Sequence, residues 1–362
     1  MTLAASGAIS LADLRTEYVG GSSSISLGDL YRGGSNIKTK EGDNPATNMA
    51  ASVPTSGTID LADFHGTAKG FKATISSSTT NVDVDTLFGG DYDTDYPKVV
   101  AINAGVTIGG TGGTAAMTIA SNIAGSLTIE NAGSVIGTGG SANGGDGGHA
   151  ISNSASGVTI TNTGLLAAGG GGGGQGGNGG GGQASTTTSY SWNWNREWRI
   201  RWGPYSYPAF LDIWDGGSGY AYSFYYGNLT NVTSYLNYQR GAYFDQNIDP
   251  FSGQVTYKRY ALTVTSTTNT NGGSGGAGGR GQGYNQTLES GSSGASGGTN
   301  AGAGGSGASG AVYGTAGSTG STGANGNSTN GSAGSSGGAA GAAVSGTSVT
   351  MNNTGTLHGA VA

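Results

Sequence analysis

Cysteine is absent from the 362 residues, so the chain has no disulfide, thiolate metal site or nucleophilic thiol, and redox compartment leaves no mark on it. Charge is scarce too. Only 9% of residues are charged, the net charge is -6, and no basic run offers a surface that tracks phosphates, so nucleic acid is not an expected partner. No apolar stretch approaches the roughly 18 residues of a membrane span. The opening "MTLAASGAISLADLRTEYVGG" has neither the basic nor the apolar region of a secretory signal, so none is expected. The three histidines, His65, His149 and His358, are far apart and lack the carboxylate pattern of a metal or triad site. The six prolines all lie outside the glycine tracts, which excludes collagen.

Glycine, by contrast, supplies 77 of the 362 positions, far above the roughly 7% of ordinary globular chains. It falls into triplet patterns. "GGDGGH" (144–149), "GGQGGNGG" (173–180) and "GGSGGAGGRGQG" (272–283) put the variable residue at every third place, and Gly314, Gly317, Gly320, Gly323 and Gly326 continue the period. A period of three with extended backbone is polyproline-II geometry, which makes no hydrogen bonds within one segment. Neighbouring segments must therefore satisfy one another's N–H and C=O groups, and the expectation is a packed polyglycine-II lattice.

The first 72 residues carry a repeated hexapeptide: "ISLADL" (9–14), "ISLGDL" (25–30) and "IDLADF" (59–64). In each, Ser10, Ser26 or Asp60 is followed three positions later by Asp13, Asp29 or Asp63, the spacing of a capping box with an acid in the first turn. Three short helical turns are expected. Their apolar residues either close a small core of their own or dock on a larger assembly; so few large side chains make a marginal core, which favours an attachment region. Residues 35–57 read as an extended connector.

From 73 to 168 short β-like runs take over. "LTIENAGSVIG" (127–137), "VTITNTGLLAA" (158–168) and "VTMNNTGTLHG" (349–359) align without gaps, bringing together Asn131, Asn162 and Asn353, then Gly133, Gly164 and Gly355, then Val135, Leu166 and Leu357. Alternating apolar residues suit a strand with one buried face, and Asn followed two positions later by Gly suits a change of direction. Stacked Asn side chains are expected to bond as a ladder. These are rungs of a small β-solenoid, and since the third matches the first two across about 190 residues, everything between leaves one scaffold and returns to it.

These motifs resemble a known family. "INAGVTIGG", the Asn-x-Gly rungs and "GLLAAGGGGGGQGGNGGGG", together with the tract 272–341, are similar to the glycine-rich receptor-binding adhesins at the tail-fibre tips of T-even-like bacteriophages. The N-terminal hexapeptides resemble segments of phage virion structural proteins. The resemblance implies a virion tail or tail-fibre protein made in the host cytoplasm. It implies polyglycine-II layers carrying variable segments that bind a host outer-membrane protein or surface glycan, and tail or fibre proteins as partners through the N-terminal region. A homo-oligomer is left open.

One segment stands apart. "YSWNWNREWRIRW" (190–202) holds four of the five tryptophans and nearly alternates aromatic with polar residues, as does "YAYSFYYG" (220–227), so both read as strands with one aromatic face. With "TSYLNY" (233–238) and "QVTYKRYALTVT" (254–265) they make an inserted antiparallel β domain. Some aromatics must fill its core; the surplus suits receptor contact. The candidate binding residues are Trp192, Trp194, Trp198, Trp202, Tyr205, Tyr207, Trp214, Tyr222 and Tyr225, with the turn "GPYSYP" (203–208) the best single candidate.

No catalytic chemistry is expected. "DYDTDY" has the alternate carboxylates Asp91, Asp93 and Asp95 of a calcium loop, but Tyr96 and Ile102 stand where that loop needs Gly and an acid, so it reads as a solvated acidic loop without a metal. Glu197, Asp212, Asp215, Asp245 and Asp249 show no spacing that requires a glycan-cleaving pair. No cofactor is implied.

The expected fold is mostly β with little regular secondary structure. Its parts are an attachment region (1–72), β-rung scaffold (73–168), polyglycine run (169–183), aromatic β insertion (184–271), glycine-rich tract (272–341) and a rung rejoining the scaffold (342–362). The expected function is non-enzymatic adhesion to a host surface. The alternatives are a structural or decorating component of tail or capsid whose aromatic domain packs on another virion protein, and a glycan depolymerase spike.

Overall fold

The computed structural model of the protein describes residues 3–21, 23–40, 45–190, 196–202, 209–215, 219–226, 244–248, 255–259 and 262–362, the side chains of 188–264 excepted. Two compact units form: Met1–Gly182 with Thr270–Ala362, and Gln183–Asn269.

The hexapeptides fold as their capping chemistry dictates. Leu11–Leu14 is an α-helical turn, Leu27–Leu30 and Leu61–Phe64 are 3-10 turns, and the backbone N–H of Ser10, Ser26 and Asp60 donates to Asp13, Asp29 and Asp63 at 2.8, 2.8 and 2.9 Å. The Ser10 side-chain bond and, for Asp29, the Ser26 backbone bond hold these carboxyls below the usual range. Each turn buries its last residue completely: Leu14, Leu30 and Phe64 share one core with Tyr18, Ile37 and Val53, where Tyr18 meets Phe64 edge-on at 5.8 Å. Residues 35–57 are more than a connector. Ile37, Ala46, Ala50 and Val53 are buried, and Thr47–Asn48 pairs antiparallel with Phe71–Ile75. Ile37, Ala50 and Val53 complete a core that the three hexapeptides alone are too short to close, while Ala46 belongs to the solenoid core.

The rungs stack as a three-sided parallel β-solenoid. In order along one side run Phe71–Ile75, Lys98–Ile102, Leu127–Asn131, Val158–Asn162 and Thr350–Asn353, and two further sheets of five strands close the other sides. Inward columns follow the register. Val100, Ile129, Ile160 and Met351 form one, and Ile75, Ile102, Asn131, Asn162 and Asn353 another, so a column that begins as isoleucine continues as asparagine. Asn131 donates to Asn162, and Asn162 to Asn353, each at 2.7 Å, the ladder expected from the aligned motifs. The two glycines of the motif are needed for close approach: a Cβ on Gly164 would collide with the carbonyl of Gly133, and one on Gly355 with that of Gly164.

After Leu165–Ala167 the chain leaves the solenoid, and Ala342–Gly346 resumes it by pairing with Ile151–Asn153. Between lies the glycine lattice. Residues 169–181 form its centre: Gly173, Gly176 and Gly179 donate to Gly279, Gly276 and Gly273, while Gly171, Gly174, Gly177 and Gly180 donate to Thr315, Ser318, Ser321 and Ala324. Its carbonyls accept from Gly302, Gly305, Ala308 and Ala311 and from Ser332, Ser335, Gly338 and Gly341. The excursion 138–148 covers the remaining side, with Gly169 and Gly172 donating to Gly148 and Gly145. Where runs surround it closely the chain has no room for side chains, which explains why this stretch is nearly pure glycine, while 272–283 needs glycine at two places in three and the outer runs, such as 314–326, at every third.

The third side of the central run shows the rule most clearly. Where the excursion ends, its place beside Gln175, Asn178 and Gly181 is empty, and their N–H groups donate instead to the hydroxyls of Ser335, Ser332 and Thr329 at 2.7, 2.8 and 2.7 Å. Further along the same outer run the corresponding positions are Gly338 and Gly341, whose Cβ atoms would strike the carbonyls of Gly145 and Gly148. Side chains replace backbone partners wherever the lattice has an edge, since a half-buried N–H without a partner is costly.

The second unit contains the sheet Arg196–Trp202, Ala209–Asp215, Gly219–Tyr226 and the pair Phe244–Ile248 with Val255–Arg259, all antiparallel. Gly182–Tyr190 pairs with Leu262–Thr270.

Candidate functional site

The lattice has two ends, and the breaks in its glycine period alternate between them. At the solenoid end, Tyr284 donates its N–H to Gly137 and lays its ring where a Cβ on Gly109 would be. There Gly314 donates to Ala168 and Tyr313 stacks on His358 at 6.0 Å. Thirteen residues of polyproline-II rise, about 40 Å, separate this end from the other.

At the outer end the chain departs at Gly182 and returns at Thr270. Two turns of the lattice, at 298–301 and 326–329, meet this strand pair there. The Thr270 hydroxyl donates to Thr299 at 2.6 Å, Gly298 N–H to Asn271 at 3.0 Å, and Asn327 N–H to Asn300 at 3.0 Å; Ser328 and Thr329 both donate to Gly181. Asn300 holds a left-handed φ of 58°, a conformation that asparagine tolerates better than most residues. These turns were missed by the sequence reading, although "GGTNAG" and "GNSTNG" mark them as interruptions of the period.

The paired strands that leave from Gly182 and Thr270 carry exposed Ser and Thr residues, and across them Gln183 donates to Asn269 at 3.2 Å while Thr187 lies 3.3 Å from Thr265. Beyond them, the register places Trp198 opposite Ile213 and Ile213 opposite Tyr222. Arg201, Phe210 and Tyr225 form a second cross-strand row, and Trp202 pairs with Ala209. Trp214 pairs with Glu197 and Tyr220, next to a register shift between Ile213 and Trp214. Trp192, Trp194, Tyr205, Tyr207 and the stretch 233–238 lie outside the described residues. The central strand Ala209–Asp215 was not anticipated, because Asp212 and Asp215 interrupt its apolar residues without alternating cleanly.

The acidic loop holds a cation of the chain's own. Lys98 occupies an inward position between Phe71 and Leu127, and its ammonium donates to the carbonyls of Thr94, Tyr96 and Ala124 at 2.6, 2.9 and 2.8 Å. Burial pushes its pKa down to about 8, against the opposing pull of Asp91, Asp93 and Asp95. Asp91 is itself buried. The histidines are structural contacts: His65 Nδ1 lies 3.1 Å from the Ala4 carbonyl, and His149 Nδ1 accepts from Ala342 N–H at 2.9 Å. Among the described residues no three His, Asp or Glu side chains converge in a way that could hold a metal ion.

Residues 70–239 match the family model described as phage tail fibre adhesin Gp38. The matched stretch takes in the solenoid strands up to Ala167, the central glycine run and much of the insertion. Among solved structures, the crystal structure of the gp37-gp38 adhesin tip complex of the bacteriophage S16 long tail fiber is similar at 19% identity and a TM-score of 0.34, over 85% of this chain and 88% of that one. No curated protein matches.

Proposed function

We infer that this chain is a phage tail fibre adhesin, a host-recognition component of the virion tail, and that it contacts its receptor through the aromatic insertion 184–271; the family match over residues 70–239 supports the reading. The observation that carries the reading is the outer end of the lattice, where Gly182 and Thr270 leave side by side from a base cross-linked by Thr270, Asn271, Gly298 and Thr299. A variable segment mounted on such a base loses less conformational freedom on binding than one on a loose loop. Trp192, Trp194, Trp198, Trp202, Tyr205, Tyr207, Trp214, Tyr222 and Tyr225 are the contact set, since Trp and Tyr supply large area with few rotatable bonds. The receptor is a host outer-membrane protein or surface glycan. The protein works by adhesion without catalysing a reaction, and its N-terminal region 1–72 joins it to another tail or fibre protein.

The test is adsorption competition. Purified protein is set against its virion on host cells, beside a version in which a short Gly-Ser bridge replaces 184–271. Blocking by the full chain and not by the bridged one is expected. If neither folded protein blocks, the chain is a structural tail component whose aromatic domain packs on a virion neighbour.

A further inference from the structure

A polar site lies within the first unit, where the solenoid meets the lattice. An open cleft of about 690 Å³ is walled by the solenoid loop at Gly112 and Gly113, the excursion at Thr138 to Gly148, and the lattice run at Arg280 to Gln286. The sequence already marks the place. In the tracts 169–181 and 272–341 the charged residues are Arg280 and Glu289 alone, and a lattice that otherwise excludes charge puts the first of them in this cleft.

Four groups there keep bonding capacity that the protein does not use. Arg280 and Asp146 line the same cleft, yet no ion pair joins them. Asp146 spends one carboxylate oxygen on Ala339 N–H at 2.7 Å, which fixes its orientation and leaves the other oxygen open. Gln286 accepts from Gly139 N–H through its Oε1 at 2.6 Å, leaving its NH2 group to donate. The Thr138 hydroxyl is buried and has no partner, a cost of the kind that folded proteins rarely leave standing. A Cβ on Gly112 or Gly113 would face open space, so the loop there lets a ring approach backbone closely.

We propose that this cleft binds a neutral saccharide unit, its vicinal hydroxyls bridging the Arg280 guanidinium and the Asp146 carboxylate and meeting the Gln286 amide. The charges of Arg280 and Asp146 cancel, so the site has no net attraction for phosphate or sulfate. Donors and acceptors are mixed as hydroxyl groups require, each being both. Because the cleft is open, these bonds exchange with water and the affinity is modest, with a dissociation constant of about 1 mM. The site is independent of the insertion's role in receptor contact.

The experiment is saturation-transfer NMR and titration of the full chain with methyl α-glucoside, methyl β-galactoside, N-acetylglucosamine and, separately, inorganic sulfate. At least one sugar is expected to bind. Arg280→Ala and Asp146→Asn, the latter keeping the acceptor for Ala339, should each weaken it tenfold or more. Thr138→Val, at a hydroxyl buried beneath the cleft, Glu289→Gln and the Gly-Ser replacement of 184–271 should each leave it within twofold. Circular dichroism and melting curves confirm that each variant is folded. The proposal is overturned if no sugar binds at tens of millimolar, if sulfate binds and the sugars do not, or if binding survives both Arg280→Ala and Asp146→Asn.

Discussion

Asn162 donates its side-chain amide to Asn353 at 2.7 Å across 191 residues of sequence. That bond, with the one from Asn131, closes the solenoid over the point where the chain leaves for the lattice. Asn162 is fully buried and also donates to Thr356 at 3.1 Å. Replacement by leucine, similar in size and without polar atoms, strips partners from both neighbours and is expected to cost about 2–3 kcal/mol. Denaturant unfolding followed by β-sheet circular dichroism measures it; a midpoint equal to wild type would show that the ladder contributes nothing.

The lattice makes a sharper steric prediction. Gly177→Ala places a Cβ against the backbone carbonyl of Ser332, and neither run can yield without breaking its register, so the variant is expected to melt well below wild type or fail to fold. Ser274, at an exposed third position of a neighbouring run, should accept alanine within about 0.5 kcal/mol. Melting both variants side by side tests whether enclosure, and not glycine content as such, sets the requirement.

Ser332→Ala is intermediate. It removes the hydroxyl that serves Asn178 N–H at a lattice edge that water also reaches, so a loss of about 1 kcal/mol is expected. Hydrogen exchange at Asn178 gives an independent readout, faster in the variant while Gly177, bonded to Ser321, stays protected.

Stability should depend on alkaline pH in two opposite steps. Lys98 falls from 10.5 to about 8 in the folded chain, so folding disfavours its proton; its contribution is fully present above 10.5 and is lost as pH falls through 8. Tyr18 and Tyr92 rise from 10.0 to about 12, chiefly through burial, so theirs is present below 10 and is lost as pH rises through 12. The melting temperature should therefore climb from pH 8 to about 10 and fall beyond it. Lys98→Met should abolish the climb and keep the fall.

Within the insertion, Tyr205→Ala and Tyr207→Ala are each expected to weaken host binding about 30-fold, the scale of an interface hot spot. Competition by the purified variants against virion adsorption measures this, with secondary structure unchanged.

Periodic structure was legible in the sequence because it is encoded by residues close together. The capping pairs Ser10–Asp13, Ser26–Asp29 and Asp60–Asp63 fix three turns within four residues each. The alternation in "LTIEN" and "VTITN" selects inward and outward faces, and the glycine period requires segments that bond to one another and not to themselves. Tertiary structure decided what local pattern leaves undetermined. It set which runs surround 169–181, and hence why Ser332 and Ser335 stand where Gly338 and Gly341 must. It seated Lys98 among carbonyls that a loop reading treated as solvated, and it brought Asp146 and Arg280 to one cleft from opposite sides of the insertion. Each of these depends on a neighbour supplied from elsewhere in the chain, and no periodicity records which neighbour will arrive.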